Sequence, residues 1–248
     1  MKKQTLVLVT LIVTLAASVH AQFGRVSSPS LTGAMAKLFG DNIAYTADVE
    51  FQMEGAQPAS MPGKICFDSG KSRFEMNMAE AKSGQPAHAA DQMKAMGMDK
   101  MVMISRPDTK VVYTIFPSLS GYIETTLQDP DAGKPDTAYK VQLTEVARET
   151  VDGHVCVKNK AVVTDDQGKT HESVVWNAID LKKFPLKIET TDQGRTTTMF
   201  FKNVNLSKPD AALFDPPADC KKYDNQQALI QQAIMKRMGN MNPPPAHP

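Results

Sequence analysis

The chain has 248 residues, of which 42% are hydrophobic and 22% charged, and its formal net charge is +1. A chain so close to neutral, with no basic stripe, lacks the electrostatic footprint of a nucleic-acid binder. Its length fits one domain with extensions and suffices to bury a sizeable core.

The N-terminus reads as an export signal. Lys2 and Lys3 give a positive start, Leu6 to Val9 and Leu11 to Val13 form an apolar stretch, and Val19 and Ala21 occupy the small-residue positions before a cleavage site. The stretch is shorter than the ~20 residues a membrane span needs. Residues 1–21 are therefore expected to be a signal peptide, with cleavage after Ala21, and the product to be periplasmic or secreted. Gln22 follows rather than Cys, so no lipid-attachment cysteine is expected. No second long apolar run appears, so no transmembrane segment is expected after cleavage. Loss of the two signal lysines takes the formal charge from +1 to −1.

Residues 22–41 contain a short amphipathic helix, with Ser30 as cap, Leu31, Met35 and Leu38 on one face, and Gly40 at its end. Residues 42–222 read as an antiparallel β domain. Tyr45 to Met53 alternates apolar and polar residues, the period-two pattern of a sheet with one wet face. Gly55, Pro58 and Pro62 are expected to break it. Ile65 and Phe67, the turn Ser69-Gly70-Lys71, then Phe74, Met76 and Met78 make a hairpin. A helical, Met-rich insertion is expected near 86–98. Strands resume at Met101 and Met103 (or Val102 and Ile104 on the other face), at Val111 to Ile115, and at Tyr122 to Leu127. Asp129 to Asp136 is loop. Further strands run through Tyr139–Leu143, Val155–Val163, Val174–Trp176, Phe184–Ile188 and Met199–Leu206. Residues 223–248 are expected to form a helix from about Asn225, with Leu229, Ile230, Ala233, Ile234 and Met238 on one face, and then a Pro-rich tail. The fold class is mainly β, a meander of short strands whose inner face short helices must cover.

Catalytic chemistry is mostly missing from the sequence. His88, His154, His171 and His247 show no metal-ligand spacing. His171-Glu172 begins like a zinc-protease motif, but Val175 stands where the second histidine is required. No phosphate loop or nucleophile elbow is present. His154 and Cys156 lie two apart, on one face of a strand, and form the one catalytic-looking pair. No third partner can be assigned to it. No catalytic residue, metal or cofactor is expected. Of Cys66, Cys156 and Cys220, the pair Cys156–Cys220 is the first choice for a disulfide in an oxidising compartment; three reduced thiols are the alternative.

The methionines carry the remaining signal. Met53, Met61, Met76, Met78, Met93, Met96, Met98, Met101 and Met103 crowd the first half, and Met199 lies in the second. Methionine fills irregular core gaps, and it also lines adaptable apolar surfaces. Phe51, Met76, Met93, Met96, Met101, Met103 and Trp176 are the candidate lining of an apolar ligand cavity.

Several segments resemble the LolA-like periplasmic proteins, which include lipoprotein carriers and exported domains of unknown function. They are Glu149-Thr150-Val151-Asp152-Gly153-His154-Val155-Cys156, Trp176-Asn177-Ala178-Ile179-Asp180-Leu181, Phe184-Pro185-Leu186-Lys187-Ile188-Glu189, Phe201-Lys202-Asn203-Val204 and Leu213-Phe214-Asp215-Pro216-Pro217. The resemblance covers about Ile43 to Tyr223. It implies an unclosed, curved antiparallel sheet around helices, with an apolar cavity that holds lipid chains in carrier members. The chain departs from carriers in its Met-rich insertion, C-terminal helix and cysteines, and no arginine matches the one carriers use in gating. Lipid, acyl-chain or lipoprotein binding is the first expectation. An envelope protein-interaction or sensor module, in which a strand edge or the C-terminal helix docks another protein, is the alternative.

Overall fold

The computed structural model describes residues 33–54, 58–83, 87–128, 139–192 and 194–239. The signal peptide with its cleavage site, the Ser30 cap with Leu31, the Asp129–Asp136 loop and the Pro-rich tail lie outside the described residues.

Thirteen strands form one sheet. In chain order they are β1 (Ala44–Met53), β2 (Ala59–Asp68), β3 (Lys71–Asn77), β4 (Lys82–Ser83), β5 (Lys100–Arg106), β6 (Val111–Phe116), β7 (Gly121–Thr126), β8 (Lys140–Val151), β9 (His154–Thr164), β10 (Thr170–Ala178), β11 (Pro185–Asp192), β12 (Arg195–Asn205) and β13 (Lys221–Tyr223). Their spatial order is β13-β7-β6-β5-β3-β2-β1-β12-β11-β10-β9-β8, with β4 beside β2. Two meanders thus join where the first strand meets the last long one, β1 against β12. All pairings are antiparallel except β13 with β7. The sheet is not closed: among the described residues β8 pairs with β9 alone. Among the described residues three α-helices accompany it: α1 (Gly33–Lys37), α2 (Ala87–Met96) and α3 (Gln226–Gly239).

The hairpin turns follow from local chemistry. At Ser69-Gly70 and Asp152-Gly153 both residues have positive φ, the twist that matches two-residue hairpins and that glycine adopts without steric cost. Pro62 does not break the strand as expected. It lies inside β2 opposite Glu50. On its other side β2 pairs with β3 only from Gly63 and with β4 only up to Ser60, so a missing N–H costs no ladder bond there.

One core cluster contains residues from β1, β2, β3, β9, β10, β11 and β12, so the sheet curls around a shared interior. Phe39, just after α1, is its hub, packing on Tyr45, Phe184 and Phe201 at ring-centroid distances of 5.2, 5.4 and 5.5 Å. The Trp-Asn-Ala segment has a polar role beside this core. Buried Asn159 donates through Nδ2 to Asn177 Oδ1 at 2.9 Å, and Asn177 Nδ2 donates to the Lys183 carbonyl at 2.9 Å. Two amides thereby fix the β10–β11 turn, where Lys182 and Lys183 take positive φ.

The opposite face of β5 and β6 is also dry. Val102, Ile104 and Ile115 are buried there under Phe214, which sits on a 3-10 turn over Ala211–Phe214, capped by the Asp210 side chain accepting from Ala212 N–H. Arg73 and Arg106 donate to the Leu213 and Phe214 carbonyls, at 3.2 and 3.3 Å. Helix α3 starts where the sequence places it, with Asn225 Oδ1 accepting from Ala228 N–H at 2.9 Å. Its contact is narrower than its pattern implies. Leu229 is buried against Phe116 and Ile123, whereas Ile234 is exposed.

Candidate functional site

Cross-strand partners share a face of the sheet, so the register defines an apolar patch on the inner face. Phe51 stands opposite Met61 and Met199. Gly63 stands opposite Met76, Met76 opposite Met101, and Phe74 opposite Met103. Met78, one residue past the end of β3, packs against the same core. The Phe51 and Phe74 rings meet edge to face at 5.2 Å. Met76 and Phe74 are buried, while Phe51, Met61, Met78, Met101 and Met103 are half-buried against them. The structure thus brings four of the expected lining residues together: Phe51, Met76, Met101 and Met103.

The other three lie elsewhere. Met93 and Met96 are on α2, which neighbours α3. The Met98 N–H donates to the Met93 carbonyl at 2.8 Å, and Met98 packs beside Leu119. Met96 is 36% exposed. Trp176 requires a correction. It is only 3% exposed and touches the principal core, yet its cross-strand partners are Lys158 and Lys187. Lys187 in turn faces Phe200, and Phe200 faces Glu50. This row lies on the outer face, because the next residue over, Val175, carries the inner row through Ile188 and Met199 to Phe51.

The outer row is a cation–aromatic ladder. The Lys187 ammonium lies 4.1 Å and that of Lys158 4.8 Å from the Trp176 ring centroid. Trp176 Nε1 donates to Glu149 Oε2 at 2.7 Å, and Lys158 Nζ reaches Glu149 Oε1 at 3.0 Å. The indole hydrogen bond first, and the lysine second, hold the Glu149 carboxyl below the ordinary glutamate range. A cavity of about 430 Å³ opens beside the ladder, lined by Glu50, Gln52, Glu149, Asp152, Lys187 and Lys202 among others. Its walls mix these polar side chains with Val151, Trp176, Leu186, Phe200 and Phe201, unlike the methionine patch. The sequence held a signal for part of this ladder: Lys158, Lys187 and Phe200 occupy the polar phase of their strands.

The structure does not bring the His154 ring to the Cys156 sulfur. Cys156 is buried, and desolvation pushes its thiol above the usual range. Its sulfur faces the His154 carbonyl, whereas the His154 ring is turned to Asp180, Nδ1 to Oδ2 at 2.7 Å. The expected Cys156–Cys220 bridge is also absent: Cys66, Cys156 and Cys220 are all free. Cys156 belongs to the principal core and Cys220 to the Phe214 cluster. Nine strands lie between β9 and β13, which Cys220 immediately precedes. Among the described residues no three His, Cys, Asp or Glu side chains group as a metal site. No described helix is long and apolar enough to cross a membrane.

No family model matches the chain, and no curated protein matches it. Solved structures do. An uncharacterised conserved protein from Thermus thermophilus is 10% identical, over 77% of this chain and 96% of its own, with a TM-score of 0.44. The Mycobacterium tuberculosis lipoprotein LppX is 9% identical, over 74% and 99%, with a TM-score of 0.42. A LolA superfamily protein from Nitrosomonas europaea is 12% identical, over 77% and 98%, with a TM-score of 0.36. The open antiparallel sheet with short helices is the arrangement that the sequence resemblance implies.

Proposed function

We propose that the chain is exported, loses residues 1–21, and binds the acyl chain of a lipid or lipoprotein on its inner face without transforming it. The observation that supports this reading is the in-register patch of Phe51, Met61, Met76, Met101 and Met103, part of whose surface is left uncovered. Covering such a surface with an alkyl chain gains ~0.8 kcal/mol per methylene buried, so about six methylenes supply ~5 kcal/mol before ordering costs. Unbranched thioether side chains adapt to ligands of varied shape. The test is mass spectrometry of organic extracts from the purified mature chain, with uptake of a dansyl-labelled fatty acid. Bound lipid and saturable uptake are expected, with uptake lost in Met103→Glu and kept in the outer-face variant Lys202→Glu. A chain that carries no lipid and takes up no dye refutes the reading.

A second reading, an envelope interaction module, draws on strand β8. Nearly all of its twelve residues are exposed, and Val141, Leu143 and Val146 are 41%, 52% and 57% exposed. Among the described residues one edge of β8 lacks a neighbour, and such an edge offers its backbone to an added strand. Loss of a captured envelope protein in Leu143→Lys, with lipid content unchanged, supports it; the same capture by both chains removes it.

A further inference from the structure

We propose that the methionine patch is also a site for a soft monovalent metal ion, Cu(I) or Ag(I), held by the thioether sulfurs of Met76, Met78 and Met101. The inference shares the inner face with the acyl-chain reading but does not depend on it. Met76 and Met101 are direct cross-strand partners, which sets their Cβ atoms ~5 Å apart. Met78 lies one residue past the end of β3, two after Met76, and packs against the same core. From such a triangle flexible side chains can turn their sulfurs onto one point. Met61 and Met103 flank it, both half-buried, so further thioethers are in reach and the site is open to entry. Its other neighbours are Gly63, which has no side chain, and the rings of Phe51 and Phe74. No hard oxygen donor from these residues competes for the ion. Thioether ligands select Cu(I) over the hard divalent cations.

Apolar contact alone does not account for this choice of residue. Strand interiors favour β-branched and aromatic side chains, and the same sheet follows that rule elsewhere. The core of β9 to β11 is built from Ala161, Val163, Val175, Leu186 and Ile188. Methionine instead occupies inner positions on three adjacent strands, with Met-x-Met spacing at Met76-Asn77-Met78 and Met101-Val102-Met103. Period-two geometry turns Met101 and Met103 to one face, and Met78, just past β3, packs against the same core as Met76. Binding needs no change of oxidation state and no other reactant.

The test is a titration of the full mature chain with Ag(I), read from the ¹³C-labelled methionine methyl resonances. Free thiols also take up silver, but they do not move these signals. Met76, Met78 and Met101 are expected to shift together and saturate at one equivalent beyond that taken by the thiols. Met76→Leu with Met101→Leu preserves volume and apolarity, a swap that costs less than about 1.5 kcal/mol each. It is expected to weaken binding at Met78 by about tenfold or more. If Ag(I) leaves the three methyls unmoved, or moves every methionine alike, the metal site is refuted and the acyl-chain reading stands. If the leucine pair retains silver binding at Met78, the proposed ligand set is refuted.

Discussion

Removing the Phe214 ring tests whether the outer face of the first meander is a true second core. The ring is fully buried, and the cluster it closes contains three other buried side chains, Val102, Ile104 and Ile115. Phe214 is the one buried member of that cluster supplied from outside the sheet. Phe214→Ala therefore loses the transfer energy of a whole aromatic side chain and opens a cavity over three aliphatic residues. Large-to-small changes of this type cost ~3–5 kcal/mol. The lower end applies here, because the 211–214 turn is short and half-buried Leu213 can settle partly into the gap. The Lys71 ammonium, 5.3 Å from the ring centroid, loses its aromatic partner as well, worth ~0.5–1 kcal/mol at an exposed site. A loss of ~3–4 kcal/mol is a large share of a domain stability of ~5–15 kcal/mol. Urea unfolding at constant m measures it, and Phe214→Leu should lose less than half as much. A loss below about 1 kcal/mol in Phe214→Ala would mean that β5 and β6 are dry on that side without the strap, and the second core would be a misreading.

Three further outcomes are expected. Gly63→Ala should destabilise by ~1–3 kcal/mol, because its new methyl would stand 2.5 Å from the Glu75 carbonyl oxygen and 3.0 Å from the Phe74 ring; urea unfolding measures the loss, and a neutral result would show that β2 and β3 separate freely at this point. Glu149 has a folded-state pKa below its unfolded one, so its contribution is complete above the ordinary glutamate pKa and disappears as the pH falls through the lowered value. Since Trp176 is the only tryptophan and donates to that carboxylate, its emission should titrate below the ordinary glutamate range, and Glu149→Gln should abolish the step; a step that survives the substitution assigns it to another group. Iodoacetamide at neutral pH should label half-buried Cys66 and Cys220 before Cys156, which should react only on unfolding; prompt labelling of Cys156 would contradict its burial.

Much of the sheet was legible because its signals are local. The alternation of Tyr45 to Met53 and the turns at Gly70 and Gly153 depend on side-chain period and backbone sterics, and both appear in the sequence. What failed depends on partners distant in the chain. Pro62 reads as a breaker because the sequence does not show that β2 lacks a neighbour on that side there. The run Met101-Val102-Met103-Ile104 is apolar in both phases, the mark of a strand buried on both faces, but the cover on its second side comes from Phe214, more than a hundred residues on. Trp176 reads as lining of an inner apolar cavity, but its row lies on the outer face. Its neighbours Val174 and Val175 leave the phase ambiguous, and the register shifts between Trp176 and Asn177. The disulfide expectation ranked cysteines by nearness in sequence, which places β9 and β13 together when the sheet order holds them apart.

The two faces also decide where an acyl chain can lie. On the outer side it would enter a cavity where Glu50, Glu149, Asp152, Lys187 and Lys202 stand among Val151, Trp176, Leu186, Phe200 and Phe201. Burying those charges under hydrocarbon would strip water from ions whose pairing is loose: Lys202 stands 3.9 Å from Glu50 and Lys187 3.4 Å from Glu189. The penalty is several kcal/mol per ion, as large as the whole gain from half a dozen methylenes. On the inner side the same chain meets thioethers and rings and displaces no ionic hydration. The outer ladder is better suited to bracing. Two ammonium groups on one indole and a carboxylate on its N–H tie β8, β9, β10 and β11 together from outside, so the inner face can leave part of its apolar surface uncovered without the strands beneath it coming apart.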